Sequence, residues 1–105
     1  MRHVAVHTDA SAEAEAAVLR YEAERAGLGA DFTMQLQKAF ADLREGILPG
    51  MPWRGSLAAR GVKYTLLKRF PFKVVFVARE DAVVVLAIAH HSRKPSYWRD
   101  RFQVK

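Results

Sequence analysis

The stretch Ala82–Ala89 is apolar without interruption, rich in valine, and bounded by Glu80-Asp81 on one side and His90-His91 on the other. It is far short of the roughly 18 residues that a membrane span needs, and its β-branched content favours a strand. A strand apolar at every position must be covered on both faces, so the fold needs a sheet with this strand inside it. Two further strand runs precede it, Val62–Leu67 and Phe72–Ala78, separated by Lys68-Arg69-Phe70-Pro71. Short connections between the three favour an antiparallel meander.

The first half of the chain has a different period. After a short alternating stretch, Arg2–Thr8, with Val4 and Val6 on one side, Asp9 and Ser11 are placed to cap a helix. Glu13 and Glu15 then fall near its positive end. Ala14, Ala17, Val18 and Tyr21 form a stripe at helical spacing, and Phe32, Leu36, Ala39, Phe40 and Leu43 form a second. Gly27 and Gly29 divide the two helices, Gly46 and Pro49 end the second, and 46–61 reads as a connecting loop. The expected order is β-α-α-β-β-β. This is a single α+β domain over residues 1–105, with a helical hairpin on one face of a mainly antiparallel sheet and the other face open.

Charge is distributed unevenly. Residues 1–53 carry 5 basic and 8 acidic side chains, and residues 54–105 carry 12 basic and 3 acidic ones. The net +6 is thus an acidic half joined to a strongly basic one, suited to a polyanion or an acidic protein. With no cysteine, thiolate catalysis, disulfides and thiolate metal sites are excluded. His3 and His7 stand about 13 Å apart along a strand and cannot share a metal. Gly27-Leu28-Gly29 lacks the Lys-Ser/Thr of a phosphate loop and reads as an interhelical turn. No cofactor or metal is expected. Nor is an export signal, because the N-terminus lacks a basic start followed by an apolar core. The expectation is a soluble cytoplasmic protein.

Chemistry is concentrated in the segment after the apolar strand, His90-His91-Ser92-Arg93-Lys94-Pro95-Ser96-Tyr97-Trp98-Arg99-Asp100-Arg101. Imidazole, guanidinium and phenol groups at a sheet end can hold phosphate or move protons. Strand alternation would send His90 and His91 to opposite faces, so that only one of them serves a given site. Tyr97 and Trp98 are equally suited to anchoring the tail on the sheet.

The ordered pieces Tyr21-Glu22, Gly27-Leu28-Gly29 before Phe32, Gly61-Val62, Lys68-Arg69-Phe70-Pro71-Phe72, and His90, Arg93, Pro95, Tyr97, Trp98 and Arg101 span nearly the whole chain. On them the sequence resembles the RelE/ParE superfamily of bacterial type II toxin–antitoxin toxins. The resemblance implies a toxin neutralised in a hetero-oligomer by an acidic antitoxin that folds on binding. Leu67, Val75 and Val77 would be its apolar contacts if they face outward. One branch cleaves mRNA on the ribosome. Here that would use Lys63, Arg79 and Arg93 for charge and His90, His91 or Tyr97 for protons, with Arg99 and Arg101 as further phosphate or target contacts. The other branch blocks DNA gyrase without cutting RNA. Its long helical hairpin and glycine turn look closer to this chain, and the apolar middle of the expected open face favours it. A non-toxic relic or general RNA-binding domain is the third reading.

Overall fold

A computed structural model of the chain describes residues 2–47 and 50–103. The elements are β1 (His3–Val6), α1 (Thr8–Glu24), α2 (Leu28–Glu45), β2 (Met51–Pro52), α3 (Gly55–Ala59), β3 (Val62–Leu66), β4 (Phe72–Ala78) and β5 (Ala82–His90), closed by a 3₁₀ turn at Arg99–Gln103. They form a five-stranded sheet of order β1-β5-β4-β3-β2, in which β1 runs parallel to β5 and the other pairs are antiparallel. The α+β class and the hairpin on one sheet face are as the periodicities predict. The all-apolar run is an interior strand, with β1 on one side and β4 on the other.

The expected helical stripes meet the sheet. Ala10 and Ala17 of α1 and Phe32, Leu36, Ala39 and Leu43 of α2 bury against Phe72, Val74, Phe76, Val83, Val85 and Ile88. The Lys68–Phe72 segment has a packing role. Phe70 and Phe72 set their ring edges against Phe32, with centroids 5.2 and 5.1 Å away, and Tyr21 joins the same group. Edge-to-face contacts of this kind hold the hairpin to the strand turn.

The first helix is capped by His7, not by Asp9 or Ser11. The His7 Nδ1 accepts the Asp9 N–H at 3.0 Å, because the helix begins at Thr8, two to four residues earlier than expected. Between the helices Gly27 adopts φ 91°, and the Glu22 carboxylate accepts from the N–H groups of Gly27 and Gly29 at 3.0–3.1 Å. An anion on the free donors of the α2 N-terminus is favourable on both hydrogen-bond and dipole grounds. Gly46, at φ 76°, closes α2, and its partner in the expected stop signal, Pro49, falls outside the described residues.

Gly29 lies tight against the first helix. A methyl there would stand 2.8 Å from the Val18 carbonyl oxygen. In an open helix Gly→Ala stabilises by about 1 kcal/mol through propensity. Here the contact reverses the sign. Gly29→Ala is expected to lower stability by about 1–3 kcal/mol, as overpacking does. A shift of the urea midpoint to higher concentration would contradict the crossing geometry.

Two expectations are overturned. The segment read as a loop contains β2 and α3, both too short to carry a period. The sheet face away from the hairpin is also not open. Leu57 of α3 and Trp98 of the tail cover Val62, Val75, Val77, Leu86, Ala87 and Ala89, with Trp53, Tyr64, Val84 and Tyr97 around them. A second core therefore stands where an exposed face was expected. Its cover is built from isolated side chains of α3 and the tail, which leave no periodic trace in sequence.

Candidate functional site

A cleft of about 300 Å³ opens between the tail, the β2–α3 connection and the ends of β4 and β5. Trp53, Tyr64, Tyr97 and Trp98 supply its rings, and Arg54, Lys73, His90, His91, Arg93 and Lys94 its cations and imidazoles. No carboxylate lines it. The Arg93 guanidinium carbon sits 3.9 Å from the centroid of the Tyr97 ring, Lys73 Nζ 5.9 Å from that of Tyr64, and the Arg54 guanidinium 5.7 Å from that of Trp53. Aromatic faces orient these cations without neutralising them. Among the described residues none of Arg54, Lys73, Arg93 and Lys94 forms an ion pair.

His90 and His91 both border this cleft, contrary to the alternation argument, because the strand stops at His90 and the chain turns there. The His90 ring stands edge-on to Phe72 at 5.0 Å, and its Nδ1 accepts the Ser92 N–H at 3.0 Å. Burial, Lys73 and His90 together hold the His91 pKa below the ordinary histidine value, so its imidazole is neutral at pH 7.

Register separates the other expected site residues. Val62, Tyr64 and Leu66 pair with Val77, Val75 and Lys73, so these six share the tail-covered face. Lys63 pairs with Phe76 and points to the hairpin side, away from the cleft. Arg79 follows β4 at the opposite end of the sheet from Lys73. Leu67 does not face outward with Val75 and Val77. It is 7% exposed, within the hairpin-side core, where it borders a groove of about 210 Å³ between α2 and β3. Val75 and Val77 do lie on the expected face, but they are buried there at 0% and 3% exposure. None of the three is an open apolar contact. Arg99 is exposed on the final turn, outside the residues that line the cleft.

Tyr97 and Arg101 turn instead to Glu13, a residue read only as a helix-end charge. β5 outruns β1, which stops at Val6, and a bulge at Leu86 shifts its register between Val75 and Phe76. Side chains replace the missing neighbour strand. The Glu13 Oε1 accepts the Ile88 N–H at 3.0 Å, and Arg101 Nη1 donates to the Leu86 carbonyl at 3.0 Å. Arg101 and Glu13 then pair through both guanidinium nitrogens at 3.0 and 2.8 Å, and the Tyr97 hydroxyl donates to Glu13 Oε2 at 2.7 Å. Burial and this acceptor push the Tyr97 phenol well above the ordinary tyrosine value. Burial lowers the Arg101 pKa, but the Glu13 bonds outweigh it and raise the value overall. Tyr97 is thus a poor proton donor to any substrate, and Arg101 is a neutralised clamp instead of a target contact. Glu13 was detectable in sequence: it sits three residues after Ala10 and four before Ala17, inside the apolar stripe. Lys73 and Trp53 left weaker traces, because only strand register and the loop's path bring them to the cleft.

Among the described residues no cluster of three or more ligating side chains could hold a metal, and no helix is long and apolar enough to cross a membrane. Fold and cleft together define a class: a small α+β domain with a helical hairpin on a mainly antiparallel sheet and a basic, aromatic cleft beside its C-terminal tail. A solved structure described as "Chromosomal ParDE TA system from P. aeruginosa" shares this fold, with a TM-score of 0.70 and 18% identity over 86% of this chain and 96% of that one. At that identity the likeness is one of fold. No protein-family model matches the chain, and no curated protein matches it.

Proposed function

We propose that this chain is the toxin of a type II toxin–antitoxin pair, neutralised by an acidic antitoxin. In this reading it acts in the cytoplasm by binding DNA gyrase or a similar essential complex. The observation that carries the reading is the shared fold with a chain of a toxin–antitoxin system over nearly all of that chain's length. The net charge of +9 in residues 54–105, from 12 basic and 3 acidic side chains, suits an acidic partner. Because the tail covers Val75 and Val77, the antitoxin's apolar contact is better sought at the end of β3, where Leu66 is 49% exposed next to Lys68.

Binding is favoured over RNA cleavage because Lys63 and Arg79 lie away from the cleft while Tyr97 and Arg101 are committed to Glu13. A ribonuclease reading rests on one specific observation, the pair of imidazoles bordering a cationic cleft. Induced expression is expected to arrest growth, with rescue by a small acidic protein encoded beside the gene. The purified chain should inhibit gyrase supercoiling while leaving translated mRNA intact. Harmless expression would remove the toxin reading. Codon-associated cuts that disappear in His91→Ala would replace gyrase binding with the ribonuclease.

A further inference from the structure

We propose that the cleft between the tail and the β2–α3 connection is a binding site for a nucleoside 5′-monophosphate unit, either free or at the end of a nucleic-acid strand. Three properties of the cleft converge on that ligand. Its lining combines planar rings with cations and contains no carboxylate, so an anion meets attraction with no acidic lining residue to oppose it. The cations are also uncompensated yet held in place. The Arg93 guanidinium carbon lies 3.9 Å over the Tyr97 ring and its side chain forms no ion pair among the described residues, so its N–H groups can fork onto phosphate oxygens. Lys73, over Tyr64, adds a point charge beside His91.

The rings supply the second half of the recognition. Trp53 is only half-buried and is braced edge-on by Tyr64 and Trp98 at 5.4 and 5.0 Å, with its Nε1 donating to Ser96 Oγ at 3.1 Å. A fixed, partly exposed indole beside arginines is what base stacking requires, and a base gains about 1–3 kcal/mol on such a platform. Size decides between candidates. Ligand pockets run from about 300 to 1,000 Å³, and a cleft of about 300 Å³ is at the small end, suited to one nucleotide and too small for a dinucleotide. The proposal rests on the cleft alone and does not depend on the toxin reading.

The test uses the chain's own fluorescence, because both of its tryptophans line the cleft. The intact chain is titrated with AMP, adenosine, inorganic phosphate, a 5′-phosphorylated DNA oligonucleotide, its unphosphorylated form and an acidic peptide. Saturable quenching by AMP is expected, with adenosine and phosphate at least about tenfold weaker, since each keeps half of the contacts. Lys73→Gln and Arg93→Gln should each weaken AMP by about tenfold, whereas Arg79→Gln, at the far end of the sheet, should not. Thermal melts by circular dichroism establish that the variants are folded. Quenching by the phosphorylated oligonucleotide but not by AMP also upholds the site and assigns a strand end as its source. Equal binding of phosphate and AMP, equal weakening by Arg79→Gln, or a response only to the acidic peptide would each overturn it.

Discussion

Glu13→Ala is expected to cost the fold about 3–5 kcal/mol, the scale on which breaking a buried ion pair destabilises a protein. Small domains have only about 5–15 kcal/mol in total. Glu13 and Arg101 are both largely removed from solvent, with 16% and 14% of their side chains exposed. Removing the carboxylate strands the Tyr97 hydroxyl and the Ile88 N–H, and leaves the Arg101 guanidinium only the Leu86 carbonyl and an exposed Asp9 carboxylate at 3.7 Å. The cost should belong to the groups left without that acceptor more than to the pair itself. Glu13→Gln should therefore still be clearly destabilising. Glu13→Met combined with Arg101→Met should recover much of the loss, as apolar replacements of buried pairs do. Urea denaturation of the parent, Glu13→Met, Arg101→Met and the double variant gives the coupling energy. A single mutant within about 0.5 kcal/mol of the parent would show that the clamp does not hold the tail. The Tyr97 contact adds a check with a definite sign. Its phenol titrates above the ordinary value of about 10 in the folded chain, so stability should be level below about pH 10 and fall above it. Tyr21, also raised by burial, contributes to that fall, and Tyr97→Phe isolates the part due to Tyr97.

This network marks the boundary of what was legible in the sequence. The hairpin, the meander and the first core followed from period alone, because each involves several side chains repeated on one face. The Gly27-Leu28-Gly29 turn was legible as a turn, but its reasons, the Glu22 carboxylate and the Val18 carbonyl, are tertiary. Strand alternation correctly grouped Lys63 with Leu67 and Lys73 with Val75. It could not say that the β3–β4 register sends the two groups to opposite faces. The same gap hid the cleft, whose lining comes from a two-residue strand, a strand end and an irregular tail. Glu13 is the instructive case. An acid inside an apolar stripe is a conflict between levels, and such conflicts mark places where a specific partner must exist.

Trp98→Ala should match Glu13→Ala in size by an unrelated mechanism. Trp98 is 1% exposed and is the largest fully buried side chain of the second core, packed edge-on to Trp53 at 5.0 Å. Truncating a buried tryptophan removes its transfer energy and leaves a cavity, at about 3–5 kcal/mol. In a domain of this size each kcal/mol moves Tm by about 4–8 °C, so the melting point should fall by at least about 12 °C. Trp98→Phe keeps most of the volume and should lose far less. The two disruptions differ in what they release. Glu13→Ala frees the polar clamp but leaves the indole seated, so the cleft persists in the folded fraction. Trp98→Ala removes the brace behind Trp53, so the folded protein should show red-shifted Trp53 emission and faster hydrogen exchange at Val75 and Val77. If Trp98→Ala melts within about 3 °C of the parent, the tail is not a structural part of the sheet. The face bearing Val75 and Val77 would then be open to a partner, as the sequence alone suggested.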